Sequence, residues 1–133
     1  TTRREKRQFK ITPQTRGAQF ELSFDGNLLA CTDGFMDHEN DITLWDTETG
    51  NKVVTLQGHK QAIWSLAFSP DGKTLASTDG STIRFWNLAT QSELLTIRIR
   101  GAALFDLMFS PDSRKLVTGS PGFHSDARLR IIR

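Results

Sequence analysis

The sequence predicts an all-β fold built from three copies of one repeat. Apolar residues alternate with small or polar ones over short runs such as Trp64–Phe68, which is the period of a half-buried strand. Turn-forming residues recur about every 8–12 residues, as in folds made of hairpins. No stretch keeps the 3.6-residue apolar period of a helix, so we expect little or no helix.

The segment Ser69–Gly72 shows how the hairpins are expected to form. Pro70 presets the backbone φ angle of a turn, and the Asp71 side chain can accept hydrogen bonds from backbone groups that follow it. Gly72 can adopt a positive φ. The chain is then expected to return as a strand over Lys73–Thr78.

Two sequence blocks recur along the chain. The first is a strand, a turn and a strand, with its turn aspartate at Asp25, Asp71 and Asp112. The second occupies Asp41–Asp46, Thr82–Asn87 and Arg128–Arg133, and its first two copies contain Trp45 and Trp86. A repeat of about 40–45 residues with a Trp-Asp dipeptide is typical of β-propeller blades.

With these blocks the chain resembles the WD40-repeat family, best in the middle repeat from Gly58-His59 to Trp86-Asn87. The resemblance implies a β-propeller of four-stranded antiparallel blades. Each repeat would supply the outer strand of one blade and the three inner strands of the next. The whole chain, 1–133, would then be one continuous segment of three repeats, at about 5–46, 51–87 and 93–133, forming half or part of a propeller.

The resemblance also implies a buried hydrogen-bonded set with a structural role. The first repeat keeps only Trp45 of this set, and the third has Ile132 at the tryptophan position and a suitably spaced Asp126. In the middle repeat the members are His59, Ser77, Asp79 and Trp86.

Three blades are too few to close a ring, since closed propellers have about 4–8. An open arc would expose apolar blade faces and unpaired strand edges. We therefore expect the ring to be completed either by further copies of the chain or by other blades of a longer chain. The start at Thr1 rather than Met favours the second source.

Binding to partners is expected at one rim of the blades. Trp64 and Phe105 share one position at the start of successive innermost strands, although packing between blades would equally explain them. Two longer loops, Gly34–Asn40 and Gly122–Asp126, reach the same rim, unless they are only variable connections. Their candidate contact residues are Phe35, His38, Phe123 and His124.

Composition and motifs argue against several other functions. The net charge is only +2, and the single cysteine, Cys31, excludes an intramolecular disulfide. No apolar run approaches the ~20 residues of a membrane span. No nucleophile elbow, phosphate loop or zinc-protease motif is present, so we expect neither catalytic residues nor a cofactor. The acidic loop around His38 lacks the ligand spacing of a calcium or zinc site, so no metal is expected.

We therefore expect an intracellular, non-catalytic scaffold that binds other proteins or itself. One alternative is a regulatory or sensor segment of a larger multidomain enzyme. Another is weak binding to nucleic acid or phosphate through the basic segment Arg3–Arg7, which would otherwise be a charged edge strand.

Overall fold

The computed structural model describes residues 19–32, 40–98, 106–120 and 128–132. These residues form eleven β-strands and no helix. The strands are β1 (Phe20–Leu22), β2 (Leu28–Thr32), β3 (Ile42–Asp46), β4 (Lys52–Leu56), β5 (Ser65–Phe68), β6 (Thr74–Thr78), β7 (Thr82–Asn87), β8 (Ser92–Arg98), β9 (Asp106–Phe109), β10 (Leu116–Ser120) and β11 (Arg128–Ile132).

The strands form three antiparallel sheets in which neighbours in sequence are neighbours in space. Blade 1 has the order β1-β2-β3-β4, blade 2 the order β5-β6-β7-β8, and the described part of blade 3 the order β9-β10-β11. Strand β4 follows β3, which contains Trp45, and pairs with it in blade 1. Strand β8 likewise follows β7, which contains Trp86, and pairs with it in blade 2. Each repeat thus lends its first strand to the preceding blade.

The outer strands of blades 1 and 2 share an irregularity. The register of β3 with β4 shifts between Leu44 and Trp45, and that of β7 with β8 shifts between Phe85 and Trp86. In each case one residue of the outer strand, Val53 or Leu94, is left without a Cα partner, as in a β-bulge.

The turn between the first two strands of each blade is built the same way three times. Each turn aspartate accepts a hydrogen bond from the serine hydroxyl two residues before it and from the backbone N–H two residues after it. The turn mechanism predicted for Asp71 is therefore confirmed. Gly26 and Gly72 take positive φ angles, and Ser113 takes the same conformation without being glycine. The Ser113 hydroxyl also accepts a hydrogen bond from the Asp71 N–H of the neighbouring blade.

The hydrophobic core lies between the blades. Alternate residues of β5 face opposite neighbours: Leu66 and Phe68 pack into a cluster with blade 1, and Ala67 packs into a cluster with blade 3. Strand alternation therefore buries both faces of blade 2. The first cluster includes Ala30, Ile42, Leu44, Leu75 and Trp86, and the second includes Ala76, Ile83, Leu107 and Leu116.

Blades 1 and 3 expose the positions that blade 2 buries. Phe20 and Leu22 correspond in the repeat to buried Leu66 and Phe68, yet they are 52% and 53% exposed. Met108 corresponds to buried Ala67 and is 67% exposed. Large apolar side chains are thus exposed on both outward blade faces in the described part of the chain, because each of these blades has a neighbouring blade on one side only.

Replacing Leu75 by alanine should lower the free energy of unfolding by about 2–5 kcal/mol, because its side chain is fully buried between blades 1 and 2. Urea titration followed by tryptophan fluorescence measures this change. Leu94→Ala removes the same atoms at an exposed position and should cost less than about 1 kcal/mol. Equal losses in the two variants would mean that the inter-blade cluster is not the stabilising core.

Candidate functional site

Four polar and aromatic side chains meet inside blade 2. His59 comes from the connection between β4 and β5, Ser77 from β6 and Trp86 from β7. Asp79 follows the last residue of β6 directly. All four residues are buried. The structure therefore brings together the set that the resemblance implied.

The four side chains form one chain of hydrogen bonds. Asp79 Oδ2 lies 3.1 Å from His59 Nδ1, and because a carboxylate can only accept, this nitrogen carries the proton. In the tautomer with its proton on Nδ1, Nε2 accepts from the Ser77 hydroxyl at 2.5 Å. The Ser77 oxygen in turn accepts from the Trp86 indole N–H at 2.9 Å. The set thus ties β6, β7 and the β4–β5 connection together.

The Asp79 carboxylate is saturated with donors. Oδ1 accepts from the backbone N–H groups of Ser81 and Thr82 and from the Ser81 hydroxyl, and Oδ2 also accepts from the Thr82 hydroxyl. Burial alone would raise the pKa of this carboxyl, but the hydrogen bonds from His59, Thr82 and Ser81 together hold it well below its usual range. Asp79 is therefore an anchored anion that closes the turn between β6 and β7.

The order serine, histidine, aspartate resembles a hydrolytic triad, but the environment of Ser77 does not suit a nucleophile. Its side chain is 0% exposed, and its oxygen is held between His59 and Trp86. A nucleophile must reach a substrate carbonyl at a surface cleft. The arrangement can fix strands in register and leaves no route for a substrate to the hydroxyl.

Blade 1 contains a reduced version of the same set. Cys31 occupies the repeat position of Ser77, and the Trp45 indole N–H lies 3.2 Å from its sulfur. Cys31 is buried, as expected for a small apolar residue, but it also accepts this hydrogen bond. From the sequence, Trp45 alone was expected to represent the set in the first repeat. Aligning Cys31 with Ser77 is the signal that would have revealed the pair.

Of the six residues expected to contact partners, Trp64 lies within the described part of the chain. It directly precedes β5, and its side chain is 39% exposed. Its backbone N–H donates to the Thr78 carbonyl at 2.8 Å. The indole lies over Gly80, where an added Cβ would meet it at 3.6 Å. The other five lie outside the described residues; they are Phe35, His38, Phe105, Phe123 and His124.

The described residues contain neither a metal-binding cluster nor a helix suited to span a membrane. Within residues 19–32, 40–98, 106–120 and 128–132, no three His, Cys, Asp or Glu side chains are grouped so as to hold a metal ion. Most of the acidic loop around His38 lies outside these ranges. The described residues also contain no helix with the length and apolar character needed to cross a membrane.

Comparison with known proteins identifies the repeat. Residues 50–87 match the family model described as "WD domain, G-beta repeat". This segment is a WD40 repeat. It contains all four members of the buried set, and the WD40 resemblance noted in the sequence is confirmed.

Relatives match parts of the chain. Coronin-7 of Mus musculus is 53% identical over 36 residues, which cover 27% of this chain and 4% of that protein. "Anaphase-promoting complex subunit cdh1" of Dictyostelium discoideum is 43% identical over 60 residues, covering 44% of this chain and 8% of that protein. The matched segments are thus less than a tenth of the length of these two relatives.

A solved structure shows the fold of the chain beyond the single repeat. The β-propeller domain of Cps50 (Swd1) from Myceliophteria thermophila superimposes with a TM-score of 0.69 at 18% identity, covering 90% of this chain and 39% of that one. The chain therefore has the arrangement of part of a β-propeller, as the sequence predicted.

The anchored Asp79 makes WD40 blade 2 sensitive to acid. Since its folded-state pKa is depressed, the unfolded chain binds more protons below about pH 4, and stability is lost as the pH falls. Between pH 5 and pH 3, the free energy of unfolding should fall less in Asp79→Asn than in the parent chain. Urea titrations at several pH values measure both curves. An identical fall in both would show that Asp79 contributes no linked proton.

Proposed function

We propose that the chain is a non-catalytic, intracellular scaffold for protein–protein interaction. The observation that carries this proposal is the exposure of Phe20, Leu22 and Met108 at repeat positions that are buried in blade 2. Apolar faces of this kind, displayed on rigid sheets, are suited to burial against another protein surface. The relative named as a subunit of the anaphase-promoting complex is consistent with work inside an assembly.

The occupants of the two outward faces are further propeller blades. They belong either to second copies of this chain or to a longer chain of which this sequence is a part. In either case, a neighbouring sheet would place apolar side chains against Phe20 and Leu22 of blade 1 or against Met108 of blade 3. The match to 39% of the Cps50 (Swd1) propeller chain supports a ring that needs more blades than these.

Partners other than blades would bind at the rim where the sequence analysis placed Trp64. Its indole is packed on Gly80 on one side and exposed on the other. A half-exposed aromatic ring on a rigid support is a common anchor of protein interfaces, since little conformational entropy is lost on binding. We include Phe35, His38, Phe105, Phe123 and His124 in the same proposed surface.

Light scattering on the pure chain should give a mass above that of one chain, because association buries the apolar side chains that are exposed on the outward blade faces. The double variant Leu22→Glu with Met108→Glu places a charge on each face and should shift the chain toward monomer with unchanged circular dichroism. The paired control is Val53→Glu with Leu94→Glu, at the exposed bulged residues of β4 and β8. A monodisperse monomer of the parent chain would refute completion by second copies. An equal shift in the control would refute the role of the two faces.

Trp64→Ala should weaken capture of cellular partners by about tenfold, since an interface anchor contributes on the order of 1–2 kcal/mol. Because the ring is partly exposed, the melting temperature should change little. Pull-downs quantified by mass spectrometry against the parent chain measure the loss. The matched control is Phe24→Ala, an exposed aromatic in the β1–β2 turn. Unaltered capture by Trp64→Ala would remove this residue from the binding surface.

A further inference from the structure

A polar pocket of about 370 Å³ opens in blade 2 beside the buried set. One wall is the β4–β5 connection at Lys60 and Gln61. Strands β7 and β8 supply another part of the lining, and the turn at Asp79 and Ser81 supplies the rest. The pocket and Trp64 thus flank the same turn, because Gly80 lies against the indole.

Strand alternation explains why this wall is polar. The cross-strand pairs Thr82–Arg98 and Arg84–Thr96 lie on one face of β7 and β8. Ile83, between them, points to the other face and packs against blade 3. The period of two therefore turns Ile83 and its partner Ile97 toward blade 3. It places the polar pairs beside them, the cationic strip, on the face of the sheet that also carries Trp86.

The pocket has an excess of positive charge. Its lining includes three cations, Lys60, Arg84 and Arg98, and a single acid, Asp79. Both oxygens of that acid already accept hydrogen bonds from His59, Ser81 and Thr82, so it offers little to the neighbouring cations. Lys60 and Arg98 are exposed at the surface.

Arg84 is the most enclosed of the three cations. Its side chain is 15% exposed, and its Nη1 bonds both carboxylate oxygens of Glu93 at 2.9 and 3.0 Å. A Cβ added at Gly58 would lie 3.0 Å from the same nitrogen, so the backbone leaves just enough room for the guanidinium. Within the described residues Nε is buried without a hydrogen-bond partner. One edge of this guanidinium therefore has donor capacity that the described residues do not use.

We propose that this pocket, the rim cation pocket formed by Lys60, Arg84 and Arg98, binds an oxyanion on an extended segment of a partner protein. The oxyanion is a carboxylate or a phosphate, since guanidinium groups pair with both through parallel N–H donors. This proposal rests on the scaffold function and names the chemistry of one partner. Single-stranded nucleic acid fits less well, because the lining contains no aromatic ring on which a base could stack.

Three fluorescein-labelled peptides of one sequence test the proposal, with glutamate, phosphoserine or glutamine at the central position. Fluorescence anisotropy with the full chain at about 50 mM salt should show binding of the first two and at least tenfold weaker binding of the third. Lys60→Ala with Arg98→Ala should weaken binding of the acidic peptides by about tenfold, since each exposed ion pair contributes up to ~5-fold. The phosphoserine and glutamate arms tell which oxyanion is preferred.

The control is the double variant Lys52→Ala with Lys115→Ala, which removes the same net charge from exposed positions outside the pocket. Equal weakening by the two double variants, or equal binding of all three peptides, would overturn the proposal. Tighter binding of a labelled single-stranded oligonucleotide than of either acidic peptide would also overturn it. If the acidic peptides do not bind but partner capture still depends on Trp64, only the pocket proposal is refuted. Absence of partner capture by the parent chain would refute the scaffold function.

Discussion

The constraint on which the structure depends is that each sheet needs a neighbour on both faces. Short antiparallel strands cannot bury a core by themselves, and here the apolar side chains meet between blades. Blade 2 satisfies the requirement and is buried along all of β5. Blades 1 and 3 satisfy it on one side each. The proposed binding is therefore linked to the fold, because repeat positions that are buried in blade 2 are exposed on blades 1 and 3.

The buried set solves a different problem, which is to hold the β4–β5 connection onto the blade. A buried histidine ring needs partners for both nitrogens, and Asp79 and Ser77 supply them. Because Asp79 also closes the turn to Thr82, one carboxylate fixes both the connection and the rim turn. The rim turn next to Trp64 is therefore positioned by an internal network in addition to the contacts of Trp64 itself.

Much of the fold could be predicted from the sequence, because period and turn chemistry are local properties. Trp86, the Asp71 turn and the middle repeat could be recognised from residues that lie close together in the sequence. The hydrogen bond between Trp45 and Cys31 was missed because a sulfur acceptor breaks the expected pattern of hydroxyls. The link from the Asp71 N–H to Ser113 depends on how two blades sit together, and no local pattern predicts that contact.

The cationic strip likewise could not be predicted from the sequence, because it is formed by residues on different strands. In the sequence alone, the alternation of Arg98 and Arg100 with Ile97 and Ile99 indicates only that the arginines avoid the core. Pairing of β7 with β8 sets Arg98 opposite Thr82, next to the pair of Arg84 and Thr96, and the β4–β5 connection adds Lys60 from a segment more than twenty residues away. Since His59 anchors that connection next to Lys60, the network that stabilises the blade also fixes one wall of the pocket. The position of Lys60 in the proposed pocket thus depends on hydrogen bonds inside the blade, and not only on contacts at the rim.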